Sequence, residues 1–72
     1  MRTFTDSPED PMCEVLSEFV GDLVGITTKT GKRRYGILDT DDGDTYRLGA
    51  LNYPGAVVLE VHRDDVRSVT VP

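Results

Sequence analysis

The sequence predicts a mainly β fold: a five-stranded, strongly bent barrel preceded by one N-terminal α-helix. Three observations carry that reading. Beyond residue 23, apolar side chains recur at a period of two, the spacing of a strand with one buried face. Clusters rich in Gly, Asp and Pro cut this stretch into five short segments. Only residues 11–20 show apolar spacing of the helical kind. Strands this short leave one face of a flat sheet uncovered, and curling into a barrel removes that exposure.

Each element has a local reason. Residues 1–9 (MRTFTDSPE) hold turn formers and no apolar period, so they read as a flexible arm, with Phe4 able to pin it to the body. Residues 10–72 read as a single domain. Asp10 is the expected N-cap and Pro11 the first helical residue, where a missing N–H costs nothing. Met12, Val15, Leu16, Phe19, Val20 and Leu23 then form one apolar stripe, and Gly21 ends the helix. Strands follow at about 23–30, 33–38, 45–51, 56–62 and 66–71. Their turns are Thr30-Gly31-Lys32, the Asp-rich run 39–44 with its Asp42-Gly43 step, Asn52-Tyr53-Pro54-Gly55, and a tight corner at Arg63-Asp64-Asp65. The expected core is Val24, Ile26, Ile37, Leu38, Leu48, Leu51, Val57, Leu59, Val61, Val66 and Val69. Gly25 and Gly36 mark expected bends where a strand curls.

Composition narrows the function. The 72 residues suffice for one core. Cys13 and His62 are the only cysteine and histidine, which excludes an internal disulfide and a cysteine-based zinc site. The sequence shows no long apolar run and no basic-then-apolar leader, so a cytoplasmic location without membrane contact is expected. The net charge of −5 belongs to residues 1–22, where Arg2 stands against Asp6, Glu9, Asp10, Glu14, Glu18 and Asp22; residues 23–72 balance seven cations against seven acids. A nucleic-acid partner is therefore disfavoured by the total and not by the barrel region. Nine Asp against four Glu, and six Arg against two Lys, resemble the proteins of halophilic archaea, in which case the net charge reports the solvent rather than a partner.

The element order, Thr30-Gly31 followed by Tyr35-Gly36-x-Leu38, and the ending Asp64-Asp65-Val66-x2-Val69 resemble an Sm-like barrel of the SH3-like class. The run Gly36-x-Leu38-x3-Asp42-Gly43-Asp44-Thr45-x2-Leu48 also resembles the C-terminal barrel of bacterial ribosome-maturation factors. The Sm-like resemblance implies RNA binding and assembly by edge pairing of the fourth and fifth barrel strands. It does not extend to the family's base pocket: Tyr46 stands where those proteins carry Asn, and Val61-His62-Arg63-Asp64 lacks the Arg-Gly pair.

The sharpest local feature is Lys29, Lys32, Arg33 and Arg34, four cations within six residues beside Tyr35. Such a patch suits phosphate contact with a stacking aromatic. The plainer reading is a solvated hairpin tip whose cations pair with the acidic loop 39–44. Tyr46 and Tyr53 are candidates for further stacking surface. Asp39, Asp41, Asp42 and Asp44 superficially suit a divalent cation, but a solvated acidic turn is the stronger reading, and no metal or cofactor is expected. His62 reads as a rim histidine and Cys13 as a packed one. Val58 is apolar on the face opposite Val57, Leu59 and Val61; with Val69 and Val71 it is the candidate oligomer or partner interface.

The expected function is a non-catalytic RNA-binding barrel that self-assembles, acting on no small-molecule substrate. The alternative is a protein-interaction module of SH3-like shape, docking a larger partner through its acidic helix or its apolar fourth strand.

Overall fold

A computed structural model describes residues 1–72. It contains strand β1 (Arg2–Thr5), helix α1 (Met12–Glu18), and strands β2 (Leu23–Thr28), β3 (Arg33–Thr40), β4 (Thr45–Gly49), β5 (Val57–His62) and β6 (Val66–Val71). A 3₁₀ turn at Arg63–Asp65 links the last two strands. The six strands form one antiparallel sheet in the order β1-β6-β2-β3-β4-β5. β1 and β5 do not pair, so the sheet is open and has six strands, where a closed set of five was expected.

The extra strand comes from the segment expected to be a flexible arm. Thr3 and Phe4 stand opposite Thr70 and Val69 of β6, and the Phe4 ring meets Phe19 at the helix end, 5.5 Å between centroids. An alternating quartet with a single large apolar side chain is too short to announce itself as a strand, yet Phe4 facing the core supplies the inward anchor. β1 also resets the helix start. It delivers Asp6 to the helix, where its Oδ1 accepts the Met12 N–H at 3.1 Å. Asp10 does not cap; its own N–H donates to Ser7 Oγ, and Pro11 occupies the N-cap. The helix ends at Glu18, so Val20 and Leu23 drop out of the apolar stripe and lie exposed. The chain then turns at Gly21, whose N–H donates to the Leu38 carbonyl at 2.8 Å.

The core is Met12, Val15, Leu16, Val24, Ile26, Leu38, Tyr46, Leu48, Leu59, Val61, Val66 and Val69. Three expected core residues are elsewhere. Ile37 alternates with the inward-facing Leu38 and falls on the outer face, half-buried. Leu51 lies beyond the end of β4, exposed. Val57 is exposed because the β4–β5 ladder slips: Leu48 faces Leu59 while Gly49 faces Val57, leaving Val58 as an extra residue and reversing the alternation at the strand's start. Tyr46, considered for stacking, fills core space instead.

Gly36 permits a close approach of β3 to β4. A Cβ there would sit 2.5 Å from the Gly49 carbonyl oxygen and 3.1 Å from Leu48 Cβ. Backbone cannot yield as a side-chain tip can. Gly36→Ala is therefore expected to destabilise the fold by about 1–3 kcal/mol, the usual cost of overpacking, read as a lower urea midpoint at unchanged m-value. Leu48→Ala, which empties a fully buried site, is expected to cost about 2–5 kcal/mol.

Candidate nucleic-acid interface

The β2–β3 turn is held by one side chain. The buried Thr28 hydroxyl accepts the Lys32 N–H (3.1 Å) and bonds the Thr30 hydroxyl (2.8 Å), while the Thr28 N–H donates to the Lys32 carbonyl (2.8 Å). This fixes the tip from which Lys29, Lys32, Arg33 and Arg34 project into solvent. Arg33 Nε donates to Thr27 Oγ1 at 3.3 Å and Arg34 Nη1 to the Arg33 carbonyl at 2.6 Å. Neither bond neutralises charge.

A further cation joins them from β6. The β2–β6 ladder pairs Thr27 with Ser68 but Thr28 with Val66, so Arg67 is the bulged residue. Its guanidinium donates to the Lys29 carbonyl at 3.1 Å. Nothing in the local pattern VRSVTV marks this arginine, because its direction depends on a register set by the distant strand β2. The Lys29 N–H donates to the Asp65 carbonyl at 2.8 Å, which ties the turn to the 3₁₀ corner.

The acidic loop is engaged elsewhere. Arg47 holds Asp41 through two hydrogen bonds (2.9 and 3.0 Å) and lies 3.5 Å from Asp39, while Arg63 approaches Asp44 at 3.5 Å. Asp42 Oδ1 accepts the N–H groups of Asp44 (2.8 Å) and Thr45 (3.0 Å). The pairing expected between this loop and the cations of residues 29–34 does not occur; no ion pair involves Lys29, Lys32, Arg33, Arg34 or Arg67.

The other singled-out residues separate. Tyr35 is 48% exposed on the outer face of β3. Burial pushes the Tyr46 phenol above its usual range. Tyr53 stands exposed on the loop before β5. The His62 Nδ1 accepts the Asp64 N–H at 3.1 Å and so caps the 3₁₀ turn. Cys13 is exposed rather than packed, because it follows Met12 away from the core-facing stripe. Of the three interface candidates, Val58 is exposed on β5, Val71 is half-buried against the core, and Val69 is fully buried, opposite Ile26 on one side and Phe4 on the other. Val69 is thus a core residue, covered by Phe4 and Ile26 in the folded chain. On the outer face of β3–β5, Val20, Ile37, Gly49, Ala56 and Val57 line a groove of about 460 Å³, with Asp39 and Arg47 at its side.

The loop has a pH signature. Hydrogen bonding and charge from Arg47 hold the Asp41 carboxyl below the usual range, and the Thr45 and Asp44 amides do the same for Asp42. Groups depressed on folding contribute stability above their unfolded value, ~3.9, and lose it as pH falls through their folded values. The Asp41 and Asp42 carboxyl resonances should titrate below the ordinary aspartate range. The thermal midpoint should fall as pH drops below about 4, and Asp42→Asn should weaken that dependence. No helix is long and apolar enough to cross a membrane. No protein-family model, curated protein or solved structure matches the chain.

Proposed function

We propose that this chain is an RNA-binding module on a small SH3-like, Sm-like barrel, holding phosphates through Lys29, Lys32, Arg33, Arg34 and Arg67. One observation carries the reading: these five cations stand on or beside one hairpin turn and none is in an ion pair, while the acidic loop is engaged by Arg47, Arg63 and backbone amides. A cation held free of intramolecular pairs keeps its attraction for an external anion, and each phosphate it meets releases a counterion. The strand order β6-β2-β3-β4-β5, with a helix before it and a 3₁₀ corner before the last strand, supports the barrel class.

Assembly is more constrained than the resemblance implies. β6 carries β1 on one edge and β2 on the other, so pairing with β5 of another copy needs β1 to leave. The second reading, docking of a protein partner, is favoured by the exposed Val57, Val58, Leu51 and Tyr53 on and before the open edge strand β5.

Filter binding with mixed single-stranded RNA should give an affinity that falls as salt rises. Replacing Lys29, Lys32, Arg33 and Arg34 together by Ala should flatten that slope by about 0.7 for each phosphate the variant no longer neutralises. Absence of binding at low ionic strength, with the protein folded, removes the RNA reading. For assembly, light scattering should give a larger mass after deletion of residues 1–5 than before; an unchanged mass in a folded deletion variant contradicts the β1 constraint.

A further inference from the structure

We propose that the outer face of β3, β2, β6 and β1 carries a base-stacking platform centred on Tyr35. A single-stranded RNA would cross the sheet with one base on this ring and its phosphates toward the hairpin cations. The platform rests on the RNA reading above and supplies what free cations cannot, a seat for the base.

The strand registers place it. Gly25 of β2 stands opposite Tyr35 on one side and Thr70 on the other, and Thr70 stands opposite Thr3. These four residues form one row across the sheet. Arg33, Thr27, Ser68 and Thr5 form a second row alongside it. With neighbouring strands ~4.8 Å apart, each row spans roughly 14 Å. The two rows present one aromatic ring, one guanidinium and five aliphatic hydroxyls, with no purely aliphatic side chain. Beneath them, on the other face, lie Val24, Ile26 and Val69 of the core.

Gly25 decides how the ring lies. A Cβ at that position would sit 2.5 Å from Tyr35 Cε2 and 2.9 Å from Cδ2 and Cζ, so the ring occupies the space above the glycine. Shielding a strand glycine with a cross-strand aromatic accounts for the inner side of the ring. Its outer side remains open to solvent: Tyr35 is 48% exposed. A ring already held on the sheet loses little freedom when a base stacks on it. Around it are the groups a nucleotide uses: Arg33 in the next row for a phosphate, and the Thr3 and Thr70 hydroxyls, 3.2 Å apart, as donors and acceptors for sugar and base edges.

Fluorescence anisotropy of a labelled, mixed-sequence single-stranded RNA, at two salt concentrations, tests this with Tyr35→Phe, Tyr35→Leu and Gly25→Ala. Tyr35→Phe should bind as the parent does. Tyr35→Leu should lose about tenfold or more in affinity, the scale of one stacked base, with the salt slope unchanged because the phosphate contacts remain. Gly25→Ala, which pushes the ring off the sheet without altering its chemistry, should fall between the two. In a Tyr53→Phe background RNA should quench the tyrosine emission, since Tyr46 is buried and Tyr35 is then the one exposed tyrosine; this readout holds even where Tyr35→Leu fails to fold. Parent-like binding by Tyr35→Leu, equal losses in Tyr35→Leu and Tyr35→Phe, or no quenching on binding each overturns the platform while leaving the cation patch standing. Absence of binding by the folded parent protein overturns both.

Discussion

Strict alternation along β2 is the constraint from which the rest follows. Val24, Ile26 and Thr28 point inward and are buried, while Gly25 and Thr27 point outward, and β2 pairs with β3 on one side and β6 on the other. That single strand therefore sets the floor of the core and the surface above it. A slip of one residue would exchange the two faces, setting Val24 and Ile26 in water and a glycine and a threonine in the core. Burial of Val24 and Ile26, each contributing about 1.5–3 kcal/mol when complete, holds the register. The same register lays Gly25 between Tyr35 and Thr70. Stability and surface chemistry thus share one cause.

The outer surface divides along β3. Toward β1 it bears hydroxyls, Tyr35 and Arg33. Toward β5 it bears Ile37, Gly49, Val57 and Val58, with the Arg47 ion pairs beside them. Exposed salt bridges such as these contribute little to stability. Their consequence here is electrostatic: Arg47 engages Asp39 and Asp41, and the hairpin cations form no ion pair with the Asp-rich loop. The acidic residues of the first 22 positions lie mainly on the helix and its approach. A chain with net charge −5 can in this way still present a local cationic corner.

Much of this was legible in the residues. Period-two spacing located the strands after residue 23, Asp42-Gly43 located a hairpin, and the Arg63-Asp64-Asp65 corner became a 3₁₀ turn. What escaped depends on packing between distant segments. β1 exists because Phe4 reaches Phe19 and Val69, and no window of nine residues contains those partners. Asp6 replaces Asp10 as the group accepting from the helix start for the same reason. Two ladder slips were equally invisible in the local pattern, one turning Val57 outward and the other turning Arg67 toward Lys29. The cations of residues 29–34 were visible from their density alone. Their lack of partners was not, since it depends on which arginine reaches the acidic loop, and Arg47, on the strand beyond that loop, is the one that does.

A residue-by-residue map of where RNA touches the sheet puts the cation corner and the platform to one trial. In a nitrogen-15 spectrum titrated with short single-stranded RNA, amide shifts should be confined to Gly25–Tyr35, Arg67–Thr70 and Thr3–Thr5. Shifts gathered instead around Val20, Ile37 and Val57, or a spectrum that does not change at low salt, would place the binding surface elsewhere or remove it.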